Sequence, residues 1–207
     1  ALKFGSKDAE EIAAFKLLGN DGKLELLNKQ SAKGSAACYL HVDNSGKTVV
    51  VANYSTGSVA SLPVKEDGSL GEPASFVQHV GSSVNPARQK EPHAHCIVVS
   101  PDNKYAFAAD LGLDQILCYK LDSKQGKITP NDPAFAKAPA GAGPRHLTFH
   151  PNGQKVYVIN ELLNSVTLFD YDSEKAFRTK LETRFLKILV KFCYTAEDTM
   201  SECFTFQ

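Results

Sequence analysis

The chain lacks an excess of either charge: 23 basic residues stand against 23 acidic ones in 207 positions. No global field therefore draws it to nucleic acid or to a membrane surface. Long apolar runs are absent as well, none approaching the ~20 residues of a membrane span, and no stretch has the order of a signal peptide. The five cysteines, Cys38, Cys96, Cys118, Cys193 and Cys203, are odd in number and include no Cys-x-x-Cys pair. That excludes a disulfide framework or a zinc site as the organising device. Three of them fall in or at the start of expected strands and read as buried free thiols in a reducing compartment, so a cytoplasmic location is expected. Glycine-rich phosphate loops are missing, since Gly141 to Pro144 (GAGP) reads as a strand connection. Beyond the weak His93-x-His95 pair, no His, Cys and Asp spacing suits a metal, and neither a metal nor a cofactor is expected. Aromatic residues sit at strand positions instead of interleaving with basic ones, a second argument against nucleic acid.

What is present is a repeat. The stretch from Gly143 to Glu161 (GPRHLTFHPNGQKVYVINE) can be laid over two earlier ones that begin near Cys38 (CYLHVDNSGKTVVVANY) and His95 (HCIVVSPDNKYAFAADL). In each, a short apolar strand leads to a polar turn, and a second strand ends on an amide or carboxylate. Aligning Gly46, Asn103 and Gly153 brings Asn53, Asp110 and Asn160 into register, and then Val59, Ile116 and Val166, at steps of 57 and 50 residues. Repeats of this length that hold several strands and no long helix are the signature of β-propeller blades.

Between the copies lie apolar pairs broken by turn residues: Ile12 to Gln30 around Asn20-Asp21-Gly22, Val59 to Val80 around Asp67-Gly68, and Ile116 to Ala138 around Gly126. Asp-Gly between apolar runs signals a hairpin, so these are the outer strand pairs and the text opens midway through a blade. The expectation is all-β: a partial propeller of about three and a half four-stranded antiparallel blades over residues 1–175. From Ala176 the character changes. Phe177, Leu181, Phe185, Ile188 and Phe192 recur at helical intervals, so residues 176–207 are read as a divergent, helical tail, with the third complete blade short of its fourth strand.

The motifs Pro92 to His95 (PHAH), Ala109 to Asp114 (ADLGLD), Gly141 to Gly153 (GAGPRHLTFHPNG), Tyr157 to Leu162 (YVINEL) and Val166 to Asp172 (VTLFDYD) resemble, as a set and in this order, the lactonase family of seven-bladed propellers. That family includes cycloisomerase-type 6-phosphogluconolactonases and carboxymuconate-lactonizing enzymes. The resemblance covers about Ile12 to Asp172 and implies a hydrolase that opens a sugar lactone in carbohydrate metabolism. Its alternatives are a muconate-type cycloisomerase and a non-catalytic propeller that binds a partner. Seven such blades need about 350 residues, so the open sheet edges are expected to be closed by the missing blades or by a second copy.

In an antiparallel meander the loop entering the innermost strand and the loop leaving the second lie at one end. His95 and Arg145 are repeat-equivalent there. Asn53, Asp110 and Asn160, with Glu161 after the last, share that mouth. His93 and the inserted loop Ser83 to Pro92, which carries Arg88 and accounts for the longer repeat, hang over it. Lactone opening needs a base, an oxyanion partner and, for a phosphosugar, a cationic clamp. His95 or His93 is the expected base, with Glu161 as orienter or alternative base. Arg145 is the expected anion binder. Arg88, Asp110, Asn160 and Asn53 are the expected substrate contacts. His41 and His150 are read as structural residues at the opposite end, and His146 as a packing residue.

Overall fold

A computed structural model describes residues 10–185. Residues 1–9, and the part of the expected 176–207 tail from 186 to 207, lie outside these. Fourteen strands form four antiparallel sheets, with no helix among the described residues. The first is a hairpin of β1 (Glu11–Leu18) and β2 (Lys23–Ser31). The first full blade is β3 (Ala37–Val42), β4 (Thr48–Asn53), β5 (Ser58–Pro63) and β6 (Ser75–Gln78), hydrogen-bonded in that order. The second is β7 (Ala94–Val99), β8 (Tyr105–Asp110), β9 (Gln115–Asp122) and β10 (Lys127–Lys137). The third is β11 (Pro144–Phe149), β12 (Lys155–Asn160), β13 (Ser165–Asp172) and β14 (Ala176–Phe185).

The last of these corrects the sequence reading: Ala176–Phe185 is a strand, not a helix, and completes its blade. Two register shifts interrupt the pairing of β14 with β13, between Leu168 and Phe169 and between Phe169 and Tyr171, and the rest of the helical spacing, Ile188 and Phe192, lies outside the described residues. Extra residues on the bulged strand break the two-residue alternation by which a strand is recognised.

The repeat alignment holds at the level of the backbone. Gly46, Asn103 and Gly153 all take a left-handed conformation, with φ of 70°, 63° and 70°. Only glycine and, at small cost, asparagine or aspartate adopt it readily, which is why the turn is legible in the sequence. A second set, Gly57, Asp114 and Asn164, recurs at the same steps between the second and third strands of each blade, again at positive φ.

Sheets stack face to face, so the second strands of the first two blades are buried on both sides. Every residue of β4 and of β8 is buried, as the unbroken apolar text Val49-Val50-Val51-Ala52 and Ala106-Phe107-Ala108-Ala109 requires. One core lies between the first and second blades, around Val50, Val59, Ile97 and Ala108. A second lies between the second and third, around Phe107, Leu147, Val158 and Phe169. There Phe107, Phe149 and Tyr171 meet edge to face with centroids 5.3–5.9 Å apart, the geometry favoured by ring quadrupoles.

Two glycines separate conformational demand from steric demand. A Cβ on Gly46 would meet nothing within 4 Å, whereas one on Gly112 would lie 1.9 Å from the Glu91 carbonyl oxygen. Gly46→Asn, which copies Asn103, should change stability by less than about 0.5 kcal/mol. Gly112→Ala should cost about 2 kcal/mol or more. Urea unfolding followed by circular dichroism measures both.

Candidate functional site

Each innermost strand carries an extra residue at the same place. Pairing of β3 with β4 steps from Ala37↔Asn53 to Tyr39↔Ala52, leaving Cys38 opposite nothing. The same step leaves His95 unpaired in β7 and Arg145 in β11. A bulge residue is released from the alternation between sheet faces and can be aimed elsewhere. Here the three neighbours turn toward one another. The Cys38 thiol lies 3.3 Å from the His95 carbonyl oxygen, and Arg145 Nε donates to His95 Nε2 at 3.1 Å.

Glu161, the first residue after β12, closes the group. Its Oε2 is 3.0 Å from Arg145 Nε and its Oε1 accepts from Arg88 at 2.8 Å. Arg88 also donates to the Tyr54 hydroxyl at 3.4 Å. Tyr54 stands one blade pair away at the repeat position of Glu161. Its ring stacks on His93 at 4.6 Å and meets His95 edge-on at 5.3 Å. The expected set His93, His95, Arg145, Glu161 and Arg88 is thus brought together from two blades and the segment that crosses into the second, with Tyr54 added by the first.

The two histidines differ in what their nitrogens can do. His93 Nδ1 lies 3.1 Å from the Tyr54 carbonyl oxygen. A carbonyl only accepts, so Nδ1 carries the proton and the lone pair of the neutral ring is on Nε2. In His95 the lone pair is on Nε2, taken up by Arg145, and Nδ1 is buried without a partner among the described residues. Burial first and the Arg145 charge second push the His95 pKa down to about 4. It is a neutral imidazole whose Nε2 accepts from a guanidinium.

Three expected substrate contacts lie inside the blades. Asn53, Asp110 and Asn160 are buried, none more than 1% exposed. Asn53 Nδ2 donates to the Ala32 carbonyl and to Ser58 Oγ, and Asn160 Nδ2 to Ser165 Oγ and Thr167 Oγ1. Asp110 accepts from three backbone N–H groups and faces His79. These side chains tie the second and third strands and the crossing segment together, and the residues that follow Asn53 and Asn160, Tyr54 and Glu161, face the mouth instead. Stepping the alignment one position on would have found Tyr54.

His41 and His150 accept backbone N–H bonds from Val99 and Asn152, the structural roles expected of them. His146 differs from its reading as a packing residue. It lies edge-on to His95 at 5.2 Å and beside Tyr39 at 5.5 Å, with burial and then Arg145 lowering its pKa. It belongs to the wall of the site.

Comparison with known proteins agrees with this architecture. Residues 4–187 match the family described as "Lactonase, 7-bladed beta-propeller", which carries the match past the strand β14. The chain is 40% identical over 161 residues to a 6-phosphogluconolactonase of Bacillus subtilis (strain 168), covering 78% of this chain and 45% of that protein. Among solved structures, a putative 6-phosphogluconolactonase from Bacteroides fragilis superposes with a TM-score of 0.83 at 34% identity, over 91% of this chain and 54% of that one. The periplasmic gluconolactonase of Pseudomonas aeruginosa gives 0.81 at 32% identity, over 90% and 52%. The chain spans about half the length of the relatives it matches. With its repeat, its bulges and its match over most of its length, the chain belongs to the lactonase family of seven-bladed β-propellers.

Proposed function

We propose that this chain contributes the active mouth of a hydrolase that opens a sugar lactone of the 6-phosphogluconolactone kind. The observation that carries the reading is the convergence of Arg145, His95 and Glu161 at one opening, within 3.1 Å of one another in sequence of contact. A planar guanidinium whose Nε faces both a neutral imidazole and a carboxylate is pre-aimed, and such groups act on charge that develops during reaction. The relatives named 6-phosphogluconolactonase and gluconolactonase supply the substrate class.

In the reaction, His93 Nε2 takes a proton from water, and the hydroxide so formed adds to the lactone carbonyl carbon. The tetrahedral oxyanion lies against Arg145. When the ring C–O bond breaks, the leaving alkoxide takes the proton back from the His93 imidazolium, giving the open hydroxy acid. Arg88, on its loop beside Glu161, is the cation placed to meet a substrate phosphate. Free thiols at Cys38, Cys96 and Cys118 fit a reducing compartment, the cytoplasm.

Two outcomes are expected. Proton release from 6-phosphogluconolactone by the 207-residue chain should exceed the spontaneous rate, and Arg145→Ala should lower kcat/KM by about 10²–10³. His93→Gln should lower kcat by a similar factor. Turnover unaffected by either change, or none above background, sinks the reading. The second outcome concerns pH. Because the folded pKa of His95 lies below its ordinary 6.5 at about 4, the unfolded chain binds more protons between those values. Stability should therefore fall as pH drops from 6.5 toward 4, and His95→Gln should remove on the order of 1–3 kcal/mol of that loss. Urea unfolding at pH 7.0, 5.5 and 4.5 measures it.

A further inference from the structure

The second blade departs from its neighbours at two buried positions. Asp110 occupies the place held by Asn53 and Asn160, and Tyr119 the place held by Leu62 and Phe169, at the same 57- and 50-residue steps. Asp110 is 0% and Tyr119 1% exposed. An acid and a phenol in such places need partners. Both find one in His79, just beyond β6, whose ring is likewise buried. Its Nδ1 lies 2.6 Å from Asp110 Oδ2 and its Nε2 2.7 Å from the Tyr119 hydroxyl. His79 thus bridges the acid and the phenol through its two ring nitrogens.

The other oxygen of Asp110 accepts the backbone N–H of His93 at 2.8 Å and of Gly112 at 2.9 Å. His79 and His93 are the two ends of the segment that crosses from the first blade to the second. One carboxylate thus grips that segment at both ends. Asp114 grips its middle: Oδ2 accepts from Ser83 Oγ and Oδ1 from Gln89 Nε2 at 2.8 Å. Gln89 is completely buried, and the residue before it is Arg88, which reaches out to Glu161.

We propose that His79 is the clasp of this crossing segment, a positioning residue that acts through Asp110 and Tyr119 to fix His93 and Arg88 over the mouth. The inference does not rest on the lactone reading, because its readout is local order and not turnover. Hydrogen–deuterium exchange on the full chain, read by mass spectrometry, tests it. His79→Ala should speed exchange in peptides covering residues 80–93 by about tenfold or more, with β4, β8 and β12 unchanged. His79→Asn, which restores an N–H near the place of Nδ1, should keep most of the protection. Tyr119→Phe, which copies Phe169 and so preserves packing, should fall between wild type and His79→Ala. Faster exchange spread evenly over the second blade, equal exchange in the Ala and Asn variants, or a Tyr119→Phe protein identical to wild type would each overturn the clasp.

Discussion

One extra residue at the start of each innermost strand governs the arrangement of the site. A regular strand offers its side chains only to its two faces, and in β7 those faces pack against β3 on one side and β11 on the other. A polar side chain there would have to be desolvated. The bulge at Cys38, His95 and Arg145 releases one side chain per blade from that choice. The released groups meet between blades, and the hydrogen bond from Arg145 to His95 joins the third blade to the second at the place where chemistry is proposed.

Because the site is assembled from three blades, its geometry depends on how sheets stack more than on any one loop. At the opposite end, Asn103 Nδ2 donates to Asp43 and the Asn44 amide donates to Asn103 Oδ1, pinning the first blade to the second. Between the second and third, Phe107, Phe149 and Tyr171 set the spacing. Close-packed interiors deform little. Tyr54, His95 and Glu161 are therefore held at fixed separation although none is near another in sequence.

Much of this was legible. The left-handed turns restrict residue type so strongly that Gly46, Asn103 and Gly153 mark the repeat by themselves, and the alignment they fix places His95, Arg145 and Glu161 at one end. Less legible was direction at single-residue resolution. Asn53, Asp110 and Asn160 end their strands at the mouth, but a strand's last side chain can point to either face, and these point inward. In β14 the bulges interrupt the alternation of a strand. His79 was hidden for a different reason: its partners lie 31 and 40 residues away. Only Tyr119, standing where the other blades have Leu62 and Phe169, gave a sign in the sequence that something polar was buried there.

That sign bears on how the fold divides its labour. The second blade supplies His95 and receives the crossing segment that ends at His93, and it is the blade whose interior holds an acid and a phenol in place of an amide and an apolar side chain. A neutral amide at Asp110 could offer its oxygen to the backbone of His93, but it would lose the charge that strengthens the bond to His79. Burying a carboxylate is unfavourable unless several donors face it, and Asp110 has three backbone N–H groups and an imidazole. Asparagine serves at the same position in the first and third blades. The charged variant appears where a long crossing segment must be held still, so the polar interior of this blade is best understood as support for the loop above it.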